Sequence, residues 1–577
     1  MGNRSAEANT LGNLADLERK HNNLEASRQY IETAIQIVEE LRSTYTDQDL
    51  KSQYFATAQV YYKFYINLLM ELDRKNPGKN YAELAFNTSE RSRARGLIEL
   101  LAQANAKLSK NTDPKLITQE QELELKRQAQ EKNLAQLASQ PQVSQEKIKQ
   151  TEAEIQNIIN QQKVFRNKIR AQNPERDKII NPQPLNLAQV QQQLDKDTVL
   201  LQYSLGKERS FLWLVTPTSM TSYELPKEAD IIKIAQQFHI SLGQSAASTD
   251  LAIDSAQKLS KLILTPVQDK LAGQLAGKRL VIVADGILQQ IPFAALHDSK
   301  TNTNYQPLFI NHEIVNLPSA STIAIQREKT TNRKPAPKQI AIIADPVFGG
   351  SDDERVTGKP ASIVPNLELE RSALNRSAKS LKRESWNRLP YTATEAEGIL
   401  KLFPSSSSLQ AFAFDANYSL ATNQKLNQYQ ILHFATHGFV NPDQPELSGI
   451  VLSLVDRNGK QIPGYLRLAD LFEQDYPAEL IVLSACETGL GKNVSGEGLV
   501  GLTRGLMYAG AERVALSLWK VNDKGTSVLM QEFYKQMLTK KLTPAQALRA
   551  AQMQLWKNPE WRSPHYWAAF TLQGEWR

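Results

Sequence analysis

Two strand-like exits carry the residues whose chemistry stands out. The segment YQILHFATHG runs out at His437 and Gly438, and AELIVLSACETG runs out at Cys486, 49 residues further on, just before Glu487-Thr488-Gly489. In open α/β sheets functional groups collect outside the carboxyl ends of the strands, so two neighbouring parallel strands can bring an imidazole and a thiol together above one sheet edge. His437 would then activate the Cys486 thiol or relay its proton, which makes a Cys-His dyad. Gly438 has no side chain, so its N–H can face a substrate and, with the N–H of Cys486, form an oxyanion hole. A lone cysteine is more often a small buried hydrophobe, but a polar, glycine-rich strand exit is a poor core position.

Other candidates have duller readings. His433 lies four residues before His437, a spacing that holds a metal on a helix; this segment reads as strand, so His433 is expected to be a packed strand residue and no metal is expected. Gly496-Glu497-Gly498-Leu499-Val500-Gly501 matches G-x-G-x-x-G letter for letter. It stands a dozen residues beyond the preceding strand, with no βαβ continuation or ribose-binding acid, so no dinucleotide and no other cofactor is expected. His565, before Tyr566 and Trp567, belongs to an expected closing strand of aromatics and is held only as a reserve base. Arg91, Arg93 and Arg95 read as a solvated helix face paired with Glu90 and Glu99.

The elements that must position these residues follow from periodicity. Through about residue 105 apolar residues recur at helical spacing: Ile31, Ala34, Ile35, Val38 and Leu41 on one face, Tyr54, Ala58, Tyr61, Tyr65, Leu68 and Leu72 on another. Helix pairs joined by short turns at Lys20–Asn23 and Asn76–Gly78 must stack on neighbours, the logic of a helical solenoid. Residues 115 to 170 are rich in Gln, Glu and Lys, with apolar positions Ile148, Ile155, Ile158, Phe165 and Ile169 and a turn at Ser139–Gln142. They predict a coiled-coil hairpin that serves as a solvated spacer, with a partner-docking arm as the other reading. After Pro182 short apolar runs such as FLWLV, RLVIVAD, QIAIIADP and ELIVLSA alternate with helical stretches, which predicts an α/β domain with a mostly parallel, buried sheet. Two polar segments, 328–338 and 349 to about 388, interrupt it, and the second is expected to be a mobile surface loop.

At 577 residues the chain is long enough for about four structural units. Its 68 Lys and Arg against 61 Asp and Glu leave a net +7, but the signs are interleaved, so a nucleic-acid partner is not required. No run of eighteen or more apolar residues is present, so no membrane span is expected. The start, Met1-Gly2-Asn3-Arg4-Ser5, shows no targeting segment. A single cysteine suits a reducing compartment, and a cytoplasmic location is expected.

HFATHG, LSACETG, AGAERVALSLWKVND and HYWAAF together resemble the CHAT domain, a caspase-like cysteine peptidase usually joined to tetratricopeptide repeats. The resemblance covers about residues 185–577. LGNLADLERKHNNLEASRQYIETAI resembles a tetratricopeptide repeat, with the chain beginning inside a repeat of a truncated or degenerate array. YFATAQVYYKFYINLLMEL and SERSRARGLIELLA are similar to the helical region that precedes bacterial CHAT domains. The resemblance implies a multidomain chain: a TPR-like α-helical solenoid over 1–108, the helical hairpin over 109–180, an inactive pseudo-caspase half over 185–325 that includes ADGILQQIPFAAL, and a catalytic caspase-like half over 326–577. Caspases place their histidine about 50 residues before the cysteine, as here, although Ser484-Ala485-Cys486 departs from their usual signature. SLWKVND is similar to a separase segment that supplies an acid to the pocket for a basic P1 side chain, and the matching position is Asp523; an N-cap role for Asp523 is the competing reading.

The expected function is that of a cysteine endopeptidase cleaving protein or peptide substrates, after a basic P1 residue, under control of its helical region or a protein regulator bound there. The short interval from Cys486 to Arg513 argues against an obligatory maturation cleavage. A catalytically silent interaction scaffold is the alternative, and a small-amide hydrolase is a third reading for which no dedicated pocket is visible.

Overall fold

The computed structural model describes residues 4–44, 48–108, scattered positions between 119 and 161, 183–298, 304–331, 333–349, 354–356, 367–380, 386–440, 448–484, 492–494 and 498–577. The expected hairpin over 109–180, with its turn at Ser139–Gln142, lies largely outside the described residues, and so does Cys486. The chain forms two compact units, residues 1–81 with 94–184 and residues 82–93 with 185–577.

The first unit is helical. α1 (Arg4–Lys20), α2 (Leu24–Thr44) and α3 (Gln48–Lys75) follow one another, and α5 (Arg95–Leu108) packs with them. The turn between α1 and α2 is closed by Asn22 at φ 63°, a left-handed conformation that Asn tolerates. Ala8 and Ala15 of α1, Ile31, Ala34, Ile35 and Val38 of α2, and Ala58, Tyr62, Tyr65, Leu68 and Leu72 of α3 are buried. Most of the anticipated positions are thus the packed ones; Leu41 is half-buried, the Tyr54 side chain lies outside the described residues, and Tyr62 rather than Tyr61 is the fully buried ring. Small residues allow the close approach: a Cβ at Gly12 would stand 2.7 Å from the Tyr61 ring.

The arginine cluster departs from the expected solvated face. In this unit Arg95 and Glu99 are buried; Glu99 pairs with Arg42, and Arg95 lies 3.7 Å from Glu39. In the second unit, to which nearly all of α4 (Tyr81–Arg91) belongs, Arg93 is buried and donates to the carbonyls of Ala284 (2.9 Å) and Tyr203. Glu90 is wholly buried and accepts from Ser319 Oγ, Ser321 Oγ and the Ser321 N–H at 2.8, 2.8 and 3.0 Å, which places a carboxylate on the N-terminus of the helix Ala320–Thr330. The charges sit inside because each finds a specific partner, a pairing that composition cannot reveal.

The second unit is α/β. Its strands in chain order are β1 (Thr198–Ser204), β2 (Ser210–Val215), β3 (Met220–Leu225), β4 (Arg279–Val283), β5 (Ile314–Asn316), β6 (Lys338–Ala344), β7 (Ser408–Phe412) and β8 (Tyr429–Ala435). There follow β9 (His437–Phe439), β10 (Gly449–Val451), β11 (Tyr465–Arg467), β12 (Leu480–Ser484), β13 (Lys492–Val494), β14 (Gly498–Val500), β15 (Arg513–Ser517) and β16 (Phe570–Gly574). An 11-stranded sheet has the order β3-β2-β1-β4-β5-β16-β15-β12-β8-β6-β7. Pairing is parallel from β15 through β12, β8 and β6 to β7, and β1, β2, β12 and β15 are buried along their whole length, as their unbroken apolar runs require. β16 pairs antiparallel with β15 and parallel with β5, so the two expected halves share one sheet.

The chain leaves β6 for β7 on one side, returns to β8 on the other, and continues to β12 and β15. The strand order therefore reverses between β6 and β8, and the crevice beyond their carboxyl ends is the place where such sheets bind ligands.

Three local expectations are corrected. The polar stretch after Gly349 contains a helix, Glu368–Ser380, whose Leu374 and Ala378 join Trp386, Phe439, Val451, Leu454 and Tyr465 in a buried cluster. Its few apolar positions, diluted among Glu, Arg, Ser, Asn and Lys, hid that narrow face. His437 and Gly438 belong to β9 of a 3-stranded sheet ordered β11-β10-β9, with Gly438 opposite Ile450, and are not an open strand exit. His565 sits in a short helix, Pro564–Trp567, and accompanies the carbonyl of Leu242 at 2.7 Å.

Candidate active site

β6, β8 and β12 are in register at their carboxyl ends: Ala344 pairs with Ala435, and Ala435 pairs with Ser484. One row of three small residues thus crosses three parallel strands. His437 is two residues beyond Ala435 along the chain, and Cys486 is two residues beyond Ser484. Ser484 is 3% exposed, and its hydroxyl has no hydrogen-bond partner among the described residues.

The turn from β8 into β9 is fixed by Thr436, whose hydroxyl donates to the carbonyl of Val451 at 2.5 Å. His437 follows and is 6% exposed. Its ring lies 5.1 Å from that of Phe348 and 5.4 Å from that of Trp386, and Nε2 stands 2.6 Å from the carbonyl oxygen of Asn387. Asn387 comes from the strap Trp386–Leu389, which leads into the helix Pro390–Leu400. Nucleophilic catalysis needs a base oriented by a third group, and a main-chain carbonyl is placed to orient the His437 ring.

His433 is enclosed, with Nδ1 3.0 Å from the Tyr534 hydroxyl and Nε2 2.8 Å from Glu395 Oε1, so it is part of a packed polar network. Among the described residues no group of three or more His, Cys, Asp or Glu side chains could hold a metal ion.

Asp523 opens the helix Asp523–Thr539, but Asn522 is its cap, accepting from the Gly525 N–H at 2.8 Å. The N-cap reading of Asp523 is therefore corrected. Its Oδ2 instead accepts from the Tyr391 N–H at 3.0 Å, in the first turn of the helix Pro390–Leu400. Burial pushes the Asp523 carboxyl up to about 6, and the charges of Glu395 and Asp345 add to the rise against the opposing Tyr391 bond.

Residues missed by the sequence reading complete the surroundings. Asp345 follows β6 directly, its N–H 3.3 Å from the carbonyl of Ala435, and Arg388 reaches its carboxylate from the strap. The run QIAIIADP carried the signal for Asp345, as a third strand exit ending in an acid; an isolated Trp386 amid polar residues was the signal for the strap.

Residues 254–575 match the CHAT domain family. Tetratricopeptide repeat protein 28 of Homo sapiens is 24% identical over 331 residues, 52% of this chain and 12% of that protein. Its Mus musculus counterpart is 24% identical over 362 residues, 56% of this chain and 13% of that protein. This chain thus spans about an eighth of the length of these curated relatives. Among solved structures, the Saccharomyces cerevisiae separase–securin complex is similar at 9% identity and TM-score 0.41, over 98% of this chain and 46% of that one. The Arg-specific cysteine proteinase gingipain R is similar at 11% identity and TM-score 0.31, over 60% of this chain and 74% of that one. With a helical N-terminal region, a mostly parallel α/β sheet and more than half of its residues inside the family match, the chain belongs to the CHAT domain family.

Proposed function

We propose that this chain is a cysteine endopeptidase. The observation that carries the reading is the register of Ala435 with Ser484 at the ends of two neighbouring parallel strands, because His437 and Cys486 each follow two residues later in the chain. In this reading the Cys486 thiolate attacks a peptide carbonyl, and the N–H groups of Gly438 and Cys486 stabilise the oxyanion. His437, having taken the thiol proton, gives it to the leaving amine; water then hydrolyses the acyl-enzyme and restores the thiol. Asp523 would favour a basic P1 side chain, since a partly buried carboxylate gains most from a guanidinium or ammonium partner. The helical unit would bind a protein regulator or the protein substrate.

A covered histidine supports a second reading, a silent interaction scaffold. His437 is nearly inaccessible beneath Phe348 and Trp386. Fluorogenic peptides with Arg, Lys, Met or Asp at P1 separate the two, assayed with the wild-type chain and Cys486→Ala. Cleavage after Arg and Lys that disappears in Cys486→Ala supports the peptidase; no cleavage together with no labelling of Cys486 by an acyloxymethyl ketone supports the scaffold.

A further inference from the structure

The strap Trp386–Leu389 puts two consecutive residues to two uses. The carbonyl of Asn387 meets His437, and the side chain of Arg388 turns to the crevice beyond β6 and β8. There its Nε lies 2.9 Å from Asp345 Oδ1 and its Nη2 2.8 Å from Oδ2, the two-pronged geometry with which a carboxylate recognises a guanidinium. Asp345 is 5% exposed and holds φ at 50°, a strained backbone state for a residue other than glycine, and such strain concentrates at ligand clamps.

Two arginines approach this one acid, and they differ. Arg355 bonds Oδ2 at 2.9 Å and also holds the main-chain carbonyls of Asp345 at 2.9 Å and Pro346 at 3.3 Å, with its side chain 18% exposed. That is a fixed, structural partner. The Arg388 side chain is 48% exposed, so it reaches the buried carboxylate from the solvent side. The charge of Asp345 also adds, as the smallest contribution, to the rise of the Asp523 carboxyl.

We propose that Asp345 is the acid that receives a substrate's arginine or lysine side chain, and that Arg388 holds this position in the resting protein. Release of Arg388 from Asp345 opens the site, and because Asn387 and Arg388 are adjacent in the strap, the same movement reaches the carbonyl that orients His437. Asp345 is thus a second determinant of basic P1 choice beside Asp523, and this assignment rests on the peptidase reading only for what happens after the side chain is bound.

The test uses the full chain and agmatine, a guanidinium on a short alkyl stem, titrated by calorimetry. Arg388→Ala should bind agmatine at least tenfold more tightly than wild type, because the resident guanidinium no longer competes. Adding Asp345→Asn, which tolerates the same φ, should abolish that gain. Arg388→Ala should also raise kcat/KM for Arg-P1 peptides tenfold or more. If Arg388→Ala gains no agmatine affinity, the proposal is overturned, whatever the folding of the Asp345 variant; equal agmatine binding by a folded Asp345→Asn double variant overturns it as well. Agmatine binding as expected with no peptide cleaved by any variant keeps the guanidinium site and sinks the peptidase reading instead.

Discussion

The carbonyl oxygen of Asn387 lies 2.6 Å from Nε2 of His437. A carbonyl can only accept, so the proton of the neutral imidazole is held on Nε2 and Nδ1 is the basic nitrogen. Labelled-histidine NMR should find His437 as the Nε2–H tautomer. A majority of the Nδ1–H form would mean that the strap does not orient the ring.

The proposed dyad predicts different losses by different routes. His437→Ala should lower peptide cleavage by more than a hundredfold, since positioned acid-base help is worth roughly 10²- to 10⁴-fold. It should also slow alkylation of Cys486 near neutral pH, because the thiolate is no longer favoured. Cleavage within threefold of wild type would exclude His437 as the base.

Asp523 predicts a pH dependence of two opposite signs. Its carboxyl, near 3.8 when unperturbed, is pushed up to about 6 by burial, so the folded chain holds this proton more tightly than the unfolded one. Its contribution to stability is therefore greatest below the unfolded value and is lost as pH rises through about 6. A cationic P1 side chain needs the ionised form, so cleavage after Arg or Lys should fall as pH drops below about 6. Asp523→Asn should flatten that limb and cost about ten- to a hundredfold in kcat/KM for Arg peptides, with Met peptides little affected. Equal loss at every P1 would mark Asp523 as a partner of Tyr391 alone.

Glu90 predicts a structural penalty far from any chemistry. Its carboxylate satisfies Ser319, Ser321 and the first turn of the helix Ala320–Thr330. Glu90→Ala strands these buried donors and should cost about 2–4 kcal/mol, read as a lower unfolding midpoint, with Glu90→Gln intermediate. An unchanged midpoint would show that water replaces the carboxylate.

His433 should behave as a core residue. Its removal leaves Glu395 buried beside Tyr534 without the imidazole, and His433→Ala should destabilise the α/β unit by about 3–5 kcal/mol. Zinc should leave the melting temperature of the wild-type chain unchanged; a zinc-dependent rise lost in His433→Ala would restore the metal reading.

The sequence by itself determined what is local. Unbroken apolar runs such as LIVL and IAIIA, flanked by turn residues, point to buried strands, helical spacing in residues 24–75 points to a stripe buried against other helices, and HFATHG and LSACETG carried both the family and the candidate dyad. Tertiary structure alone decided what depends on residues far apart in the chain. The register of Ala435 with Ser484 comes from strand pairing, which no single segment encodes. The cap of Asp523 on Tyr391, 132 residues away, and the grip of Arg388 on Asp345, 43 residues away, pair groups whose types say only that they prefer water. A charged residue reads as solvated until its partner is known; once the fold supplies that partner, the same charge is stable inside, which is why Glu90, Arg93 and Asp345 were hidden in the sequence and plain in the structure.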